Sequence, residues 1–283
     1  MRLIKSKRAA WDRTLGIVLA VIASVTFLFV ISGVAEVIRN PDLGLEGISC
    51  RASITAAART EEITQGTVSL FKKSCNIFDK QIPLKPDGTY IVRGMEEAKR
   101  VSDLTADEFR EVIMRDLTEL VARAWWMTAE GDRPEYLMKR IDDYFTNDNN
   151  CLILYGVRIH PSDDYPSFNP ITNENLDTAL AYYNKSNVFS KVFEIDMSVR
   201  DYIMFSGKGG AVIIPEDEPI DIEYKGADTH YGIAVGFKHE SDLSQTIEGL
   251  LGTRKQSLNP GSSYILIAPY DKIANECDVE END

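Results

Sequence analysis

Residues 15–35 form a run of 21 residues without a single charge, from Leu15 to Ala35. A helix of that length spans roughly 30 Å, the thickness of a bilayer's hydrocarbon core. The expectation is a transmembrane helix over 14–38, with a cytoplasmic basic head at 1–13 and an extracytoplasmic domain at 39–283. The head carries Arg2, Lys5, Lys7, Arg8 and Arg13 against Asp12. Basic residues beside a first span stay in the cytoplasm, which orients the N-terminus inward. Two rival readings concern processing. Gly33 and Ala35 offer a small-x-small site for a cleaved signal peptide, but the apolar run is longer than such peptides use. A prepilin-type cut near Arg8–Ala9 would leave Asp12 and Arg13 on a helix meant to pack in a filament, where burying charge is costly.

The charge balance bears on partners. The chain's net charge is −13 and the head contributes +4, so the remainder carries −17. An acidic body disfavours nucleic acid and anionic membrane surfaces as partners. Hydrophobic residues make up 44% and charged residues 27% of the chain, the balance of a folded protein rather than a disordered one.

Cys50, Cys75, Cys151 and Cys277 all fall on the predicted outer side. An even number of cysteines outside the cytoplasm points to two disulfides, with three possible pairings. Cys50–Cys75 with Cys151–Cys277 is preferred: one closes a short membrane-proximal loop and the other staples the C-terminal tail. Free buried cysteines are the bland alternative. Zinc is disfavoured, since no CxxC pair is present and no histidine neighbours a cysteine.

The fold class expected is α+β, a mixed sheet with helices. Asn40-Pro41 ends the membrane helix and residues 42–49 form a connector. Residues 50–62 are ambiguous between an alanine-rich helix and an alternating strand. Strands are expected at 67–76 and 89–92, the second after a Pro86-Asp87-Gly88 turn. The clearest soluble helix covers 105–129. Thr105-Ala-Asp-Glu108 is a capping box, and Phe109, Val112, Ile113, Leu117, Leu120, Val121, Ala124 and Trp125 follow at three-to-four spacing. Gly131 stops that helix and a shorter one runs 134–144. Residues 151–159 are an apolar strand central to a sheet. Residues 160–174 are an exposed loop and a possible sub-boundary, with a helix at 175–183. Further strands are expected at 211–214, 220–224, 231–237 and 263–268, and a helix at 242–251. Asn184-Lys185-Ser186 fits the N-glycosylation pattern.

No catalytic residue or cofactor is assigned. Ser206-Gly-Lys-Gly-Gly210 lacks the spacing and following helix of a phosphate loop and reads as a turn. Ser69-x-x-Lys72 matches the nucleophile motif of penicillin-recognising enzymes but lacks its partner motifs. Glu216, Asp217, Glu218, Asp221 and Glu223 could offer oxygen ligands to calcium, yet lack an interleaved loop pattern and read as a solvated face. His160, His230 and His239 have no metal spacing. Trp126 sits about 100° around the helix from Trp125. A partly exposed ring there would be an interface anchor, against the blander reading of an edge-of-core ring.

The runs around Trp125-Trp126, Asn149-Asn-Cys151-Leu-Ile-Leu, and Tyr264-Ile-Leu-Ile-Ala-Pro-Tyr-Asp-Lys-Ile with Cys277 resemble an uncharacterised group of archaeal membrane-anchored proteins. That resemblance covers most of the chain. It implies a basic head, one span and an outer domain with disulfides, and carries no activity. The group places a cysteine before the double tryptophan and another soon after the strand cysteine; this chain has Ala124 and no second cysteine there.

The functional expectation is a membrane-anchored interaction or structural protein of the cell envelope, held through 15–35, with a protein partner or a second copy. The alternatives are an extracytoplasmic hydrolase using carboxylates distant in sequence and a pilin-like filament subunit.

Overall fold

Helix α1, Gly44–Ile63, resolves the ambiguity of 50–62 in favour of helix and takes in most of the expected connector. Ile48, Cys50, Ile54, Ala57 and Ala58 are buried at helical spacing, and this face packs on α2. Ser53 and Thr55 hydroxyls bond back to the carbonyls of Cys50 and Arg51, at 2.8 Å each, so these polar residues do not interrupt the helix. The computed structural model describes residues 44–63, 75–128, 151–159, 169–184, 197–205, 210–215, 219–220, 230–237 and 263–277. None of the described helices is long and apolar enough to cross a membrane. The 15–35 segment lies outside the described residues, as do the expected helices at 134–144 and 242–251 and most of the strand at 67–76.

Helix α2, Ala106–Met127, is the centre of the helical layer. The capping box is present: Glu108 N–H donates to Thr105 Oγ1 at 3.4 Å and Thr105 N–H to Glu108 Oε2 at 2.9 Å. Every residue of the expected apolar stripe is buried. So are Met114, Asp116, Thr118, Glu119, Ala122, Trp126 and Met127, so α2 is enclosed nearly all round. It touches α1, α3 (Asn173–Tyr182), α4 (Val199–Phe205) and the sheet.

The main sheet is mixed, in the order β1-β4-β6-β7-β5. Its strands are β1 Phe78–Ile82, β4 Cys151–Ile159, β5 Gly210–Ile213, β6 His230–Phe237 and β7 Ser263–Pro269. The inner three run antiparallel, while β1 joins β4 and β5 joins β7 in parallel. A small antiparallel pair, β2 Thr89–Tyr90 and β3 Lys99–Arg100, stands apart. Residues 85–88 make the expected turn, with Gly88 N–H donating to Lys85 O at 2.9 Å. Ile220 is described only as a bridge to Ile171.

Strand β4 is apolar along its whole length for a geometric reason. A register shift against β6 at Leu154 turns the side-chain phase over. Cys151 and Ile153 face the second side of the sheet, whereas Tyr155, Val157 and Ile159 join the core under α2. The second side is packed by α5, Tyr270–Glu276. A β-carbon on Gly232 would lie 3.0 Å from Ile273 Cδ1, so glycine there lets α5 lie close on β6. One hydrophobic cluster draws residues from Ile48 through Ile267, on both sides of 160–174.

The cysteines pair as Cys50–Cys75 and Cys151–Cys277, with Cα separations of 4.6 and 4.9 Å. The first ties α1 to the stretch before β1, and the second ties the end of α5 to the start of β4.

Candidate functional site

Two places gather polar chemistry among the described residues. One is a charged band on α2. Glu108, Glu111, Arg115, Glu119 and Arg123 recur every three or four residues and so share a face. Lys99 Nζ reaches Glu108 at 2.6 Å and Arg93 reaches Glu111 at 2.6 Å, while Arg123 pairs with Glu119 on the helix itself. The band clamps the β2–β3 pair to the helix.

Beside it Asp116 is wholly buried. Its Oδ2 accepts from Leu84 N–H at 2.7 Å and from the Tyr90 hydroxyl at 3.0 Å, and its Oδ1 from Arg115 at 3.1 Å. The Tyr90 hydroxyl in turn accepts from Lys85 N–H at 2.9 Å. Two backbone amides of the β1–β2 connection therefore rest on one carboxylate and one phenol. Arg115 stands 5.3 Å over the Tyr90 ring. Burial pushes the Asp116 carboxyl up to about 6. The Leu84 amide and the Arg115 charge work against the rise, and Glu119 adds to it. Burial, with Asp116 as a further cause, also pushes the Tyr90 phenol up, so it stays a hydrogen-bond donor.

The second place is a groove of about 760 Å³ along edge strand β5, walled by α3 and α4. Asn173, Asp177, Arg200, Met204, Ala211 and Pro215 are among its lining residues. Arg200 bonds Asp177 at 3.2 Å across the rim, and Asn173 Oδ1 accepts from Ile214 N–H at 3.0 Å. The Asn173 bond occupies one amide just beyond β5. Met204 and Phe205, 47% and 77% exposed, put large apolar side chains at the end of α4. Glu174 and Asp177 are exposed carboxylates one turn apart, and Asp177 is taken by Arg200. The arrangement can hold an extended or small ligand by shape and charge. Among the described residues that line it, no buried carboxylate stands beside an exposed one, the pairing that acid–base hydrolysis uses.

The remaining sequence candidates fall as follows. Trp126 is fully buried, so its ring follows the core reading and not that of a partly exposed interface anchor. Helix α1 covers it: the Arg51 guanidinium lies 4.5 Å from the ring centroid and donates to the Trp126 carbonyl. The four cysteines are all in disulfides. Asn184 is half-buried and bridges Ser198 through its backbone. His230 begins β6. Ser69, Lys72, His160, His239, Ser206 to Gly209 and the acidic residues Glu216, Asp217, Glu218, Asp221 and Glu223 lie outside the described residues. Among the described residues no cluster of three histidine, cysteine, aspartate or glutamate side chains is placed to hold a metal ion.

Sequence reasoning missed Asp116. Its signal is positional: three and four residues separate it from Ile113, Val112 and Leu120, which puts an aspartate beside the apolar stripe. No family model matches the chain, nor does any curated protein or solved structure.

Proposed function

We propose that this chain is an envelope protein, anchored by residues 15–35, whose outer domain serves binding and assembly rather than turnover. The observation that carries the location is the use of all four cysteines in two disulfides. Such bonds persist in oxidising compartments, and here they sit on the same side of an apolar segment long enough to span a bilayer. Support for a binding role comes from the groove along β5, with apolar Met204 and Phe205 exposed at the end of α4. Met204 lines the groove and Phe205 follows it in sequence, and exposed apolar side chains at or beside a concave surface are a common mark of contact sites. The buried charges of α2 have partners that fasten one part of the domain to another, which suits a scaffold.

Gentle detergent extraction of the intact protein from its native cells, followed by mass determination, tests this reading. A defined complex or homo-oligomer that dissociates in Phe205→Asp is the expected result. A monomer with no co-purifying protein would overturn the binding role. Disulfides found reduced in freshly lysed, thiol-blocked cells would overturn the location.

A further inference from the structure

The geometry points to a proton-operated latch: the gain or loss of one proton on Asp116 sets how tightly the β1–β2 connection is held against α2. The carboxylate joins two elements that are otherwise separate in sequence. Its own helix supplies one wall. The connection supplies the Leu84 amide directly and the Lys85 amide through the Tyr90 hydroxyl. A carboxyl with no exposed surface must either keep its proton or hold an ion in a dry site. Swinging the connection away gives the group water, where a carboxyl ionises near 4. Closed, it ionises near 6, because burial outweighs the bonds from Leu84, Arg115 and Tyr90. The closed form thus binds the proton more tightly than the open form. Closure is strongest in acid, weakens as pH rises from about 4 to 6, and changes no further once both forms are ionised.

The charged surroundings are fixed by the same packing. On α2 they are Arg115 and Glu119, the latter paired with Arg123. From β2 and the connection come Tyr90 and, through its backbone, Lys85. Arg93, just after β2, pairs with Glu111. Tyr155 on β4 and Tyr183 at the end of α3 border the band. Burial pushes all three phenols up, so Tyr90, Tyr155 and Tyr183 keep their protons throughout the acid range.

Hydrogen exchange of the Leu84 and Lys85 amides in the intact, detergent-solubilised protein tests the latch across pH 4–7, where reclosing outpaces exchange. After correction for intrinsic exchange, the opening constant is expected to climb by up to about tenfold per pH unit between about 4 and 6, then level off. Asp116→Asn, which keeps the acceptor and removes the titration, is expected to flatten the climb. No climb in the parent protein, or an equal climb in D116N, would overturn the latch. Should D116N not fold, Tyr90→Phe answers the same question. It removes a bond that favours the ionised form, so the climb should end at higher pH; an unmoved window would count against the proposal. The Asp116 carboxyl can also be followed directly by carbon NMR in the parent protein. A midpoint near 6 is expected, and one near 4 would sink the idea.

Discussion

Trp125 lies so close over Gly210 that a β-carbon at Gly210 would stand 2.9 Å from Cη2 and 3.1 Å from Cζ3 of the indole. Ile203 of α4 closes on the same point, its Cγ2 at 2.9 Å. Edge strand β5 can dock between α2 and α4 because it begins with a residue that has no side chain. Gly210→Ala should therefore cost about 1–3 kcal/mol by overpacking. Trp125→Phe frees the ring atoms in question, so the double variant should lose less than the sum of the two by about 0.5 kcal/mol or more. Denaturant unfolding of the four proteins in one detergent checks this; strict additivity would place the strain elsewhere.

Trp126 gives a second test, because its burial separates a folding role from a contact role. Trp126→Ala should cost about 3–5 kcal/mol, the usual loss for a large buried aromatic. Arg51→Lys keeps the charge but gives up the flat guanidinium over the ring, for about 1 kcal/mol. Thermal unfolding reads both. A Trp126→Ala protein with an unchanged midpoint and a lost partner would return this residue to the interface.

The two disulfides should differ in worth. Cys151–Cys277 closes 126 residues of sequence and Cys50–Cys75 closes 25. Chain entropy then assigns about 5 kcal/mol to the first and about 3.5 to the second. Alanine pairs at each bridge, compared by denaturation, should rank in that order. Loss of the longer bridge should also free α5, raising exchange at the backbone amide of position 277, which in the parent protein bonds Ile273 O at 2.8 Å.

Two carboxylates on α2 should pull the pH dependence of stability in opposite directions. Asp116 is raised when folded, so its contribution is fully present below about 4 and is lost as pH rises through about 6, for about 3 kcal/mol in all. Glu108 is lowered, first by its bond from Lys99 and then by the Thr105 amide. Its contribution is present above the ordinary glutamate range and is lost as pH falls through the lowered value. Asp116→Asn should flatten the neutral side of the stability profile, and Lys99→Met should flatten the acid side. Stability curves measured from pH 3 to 8 separate the two.

Local chemistry made several elements legible. The Thr105–Glu108 box and the stripe from Phe109 to Trp125 define α2 because caps and three-to-four spacing are properties of neighbours along the chain. The apolar run from Cys151 to Ile159 announced an interior strand for the same reason. Helices α4 and α5 went unseen, since seven residues are too few to establish a period. The burial of Asp116 was hidden because an aspartate on a helix is ordinarily solvated, and nothing nearby in sequence names Leu84 or Tyr90 as its partners.

The sequence by itself determined an apolar segment of bilayer length, an acidic body, four cysteines beyond that segment, and the capped helix about which the domain is built. Only the tertiary structure decided the strand order, the phase reversal at Leu154, the cover over Trp126 and the hold of Asp116 on the β1–β2 connection. Periodicity and capping act over a few residues. Pairing across a sheet, a groove between helices and the dryness of a carboxylate depend on segments tens of residues apart, and they come into being only when the chain closes on itself.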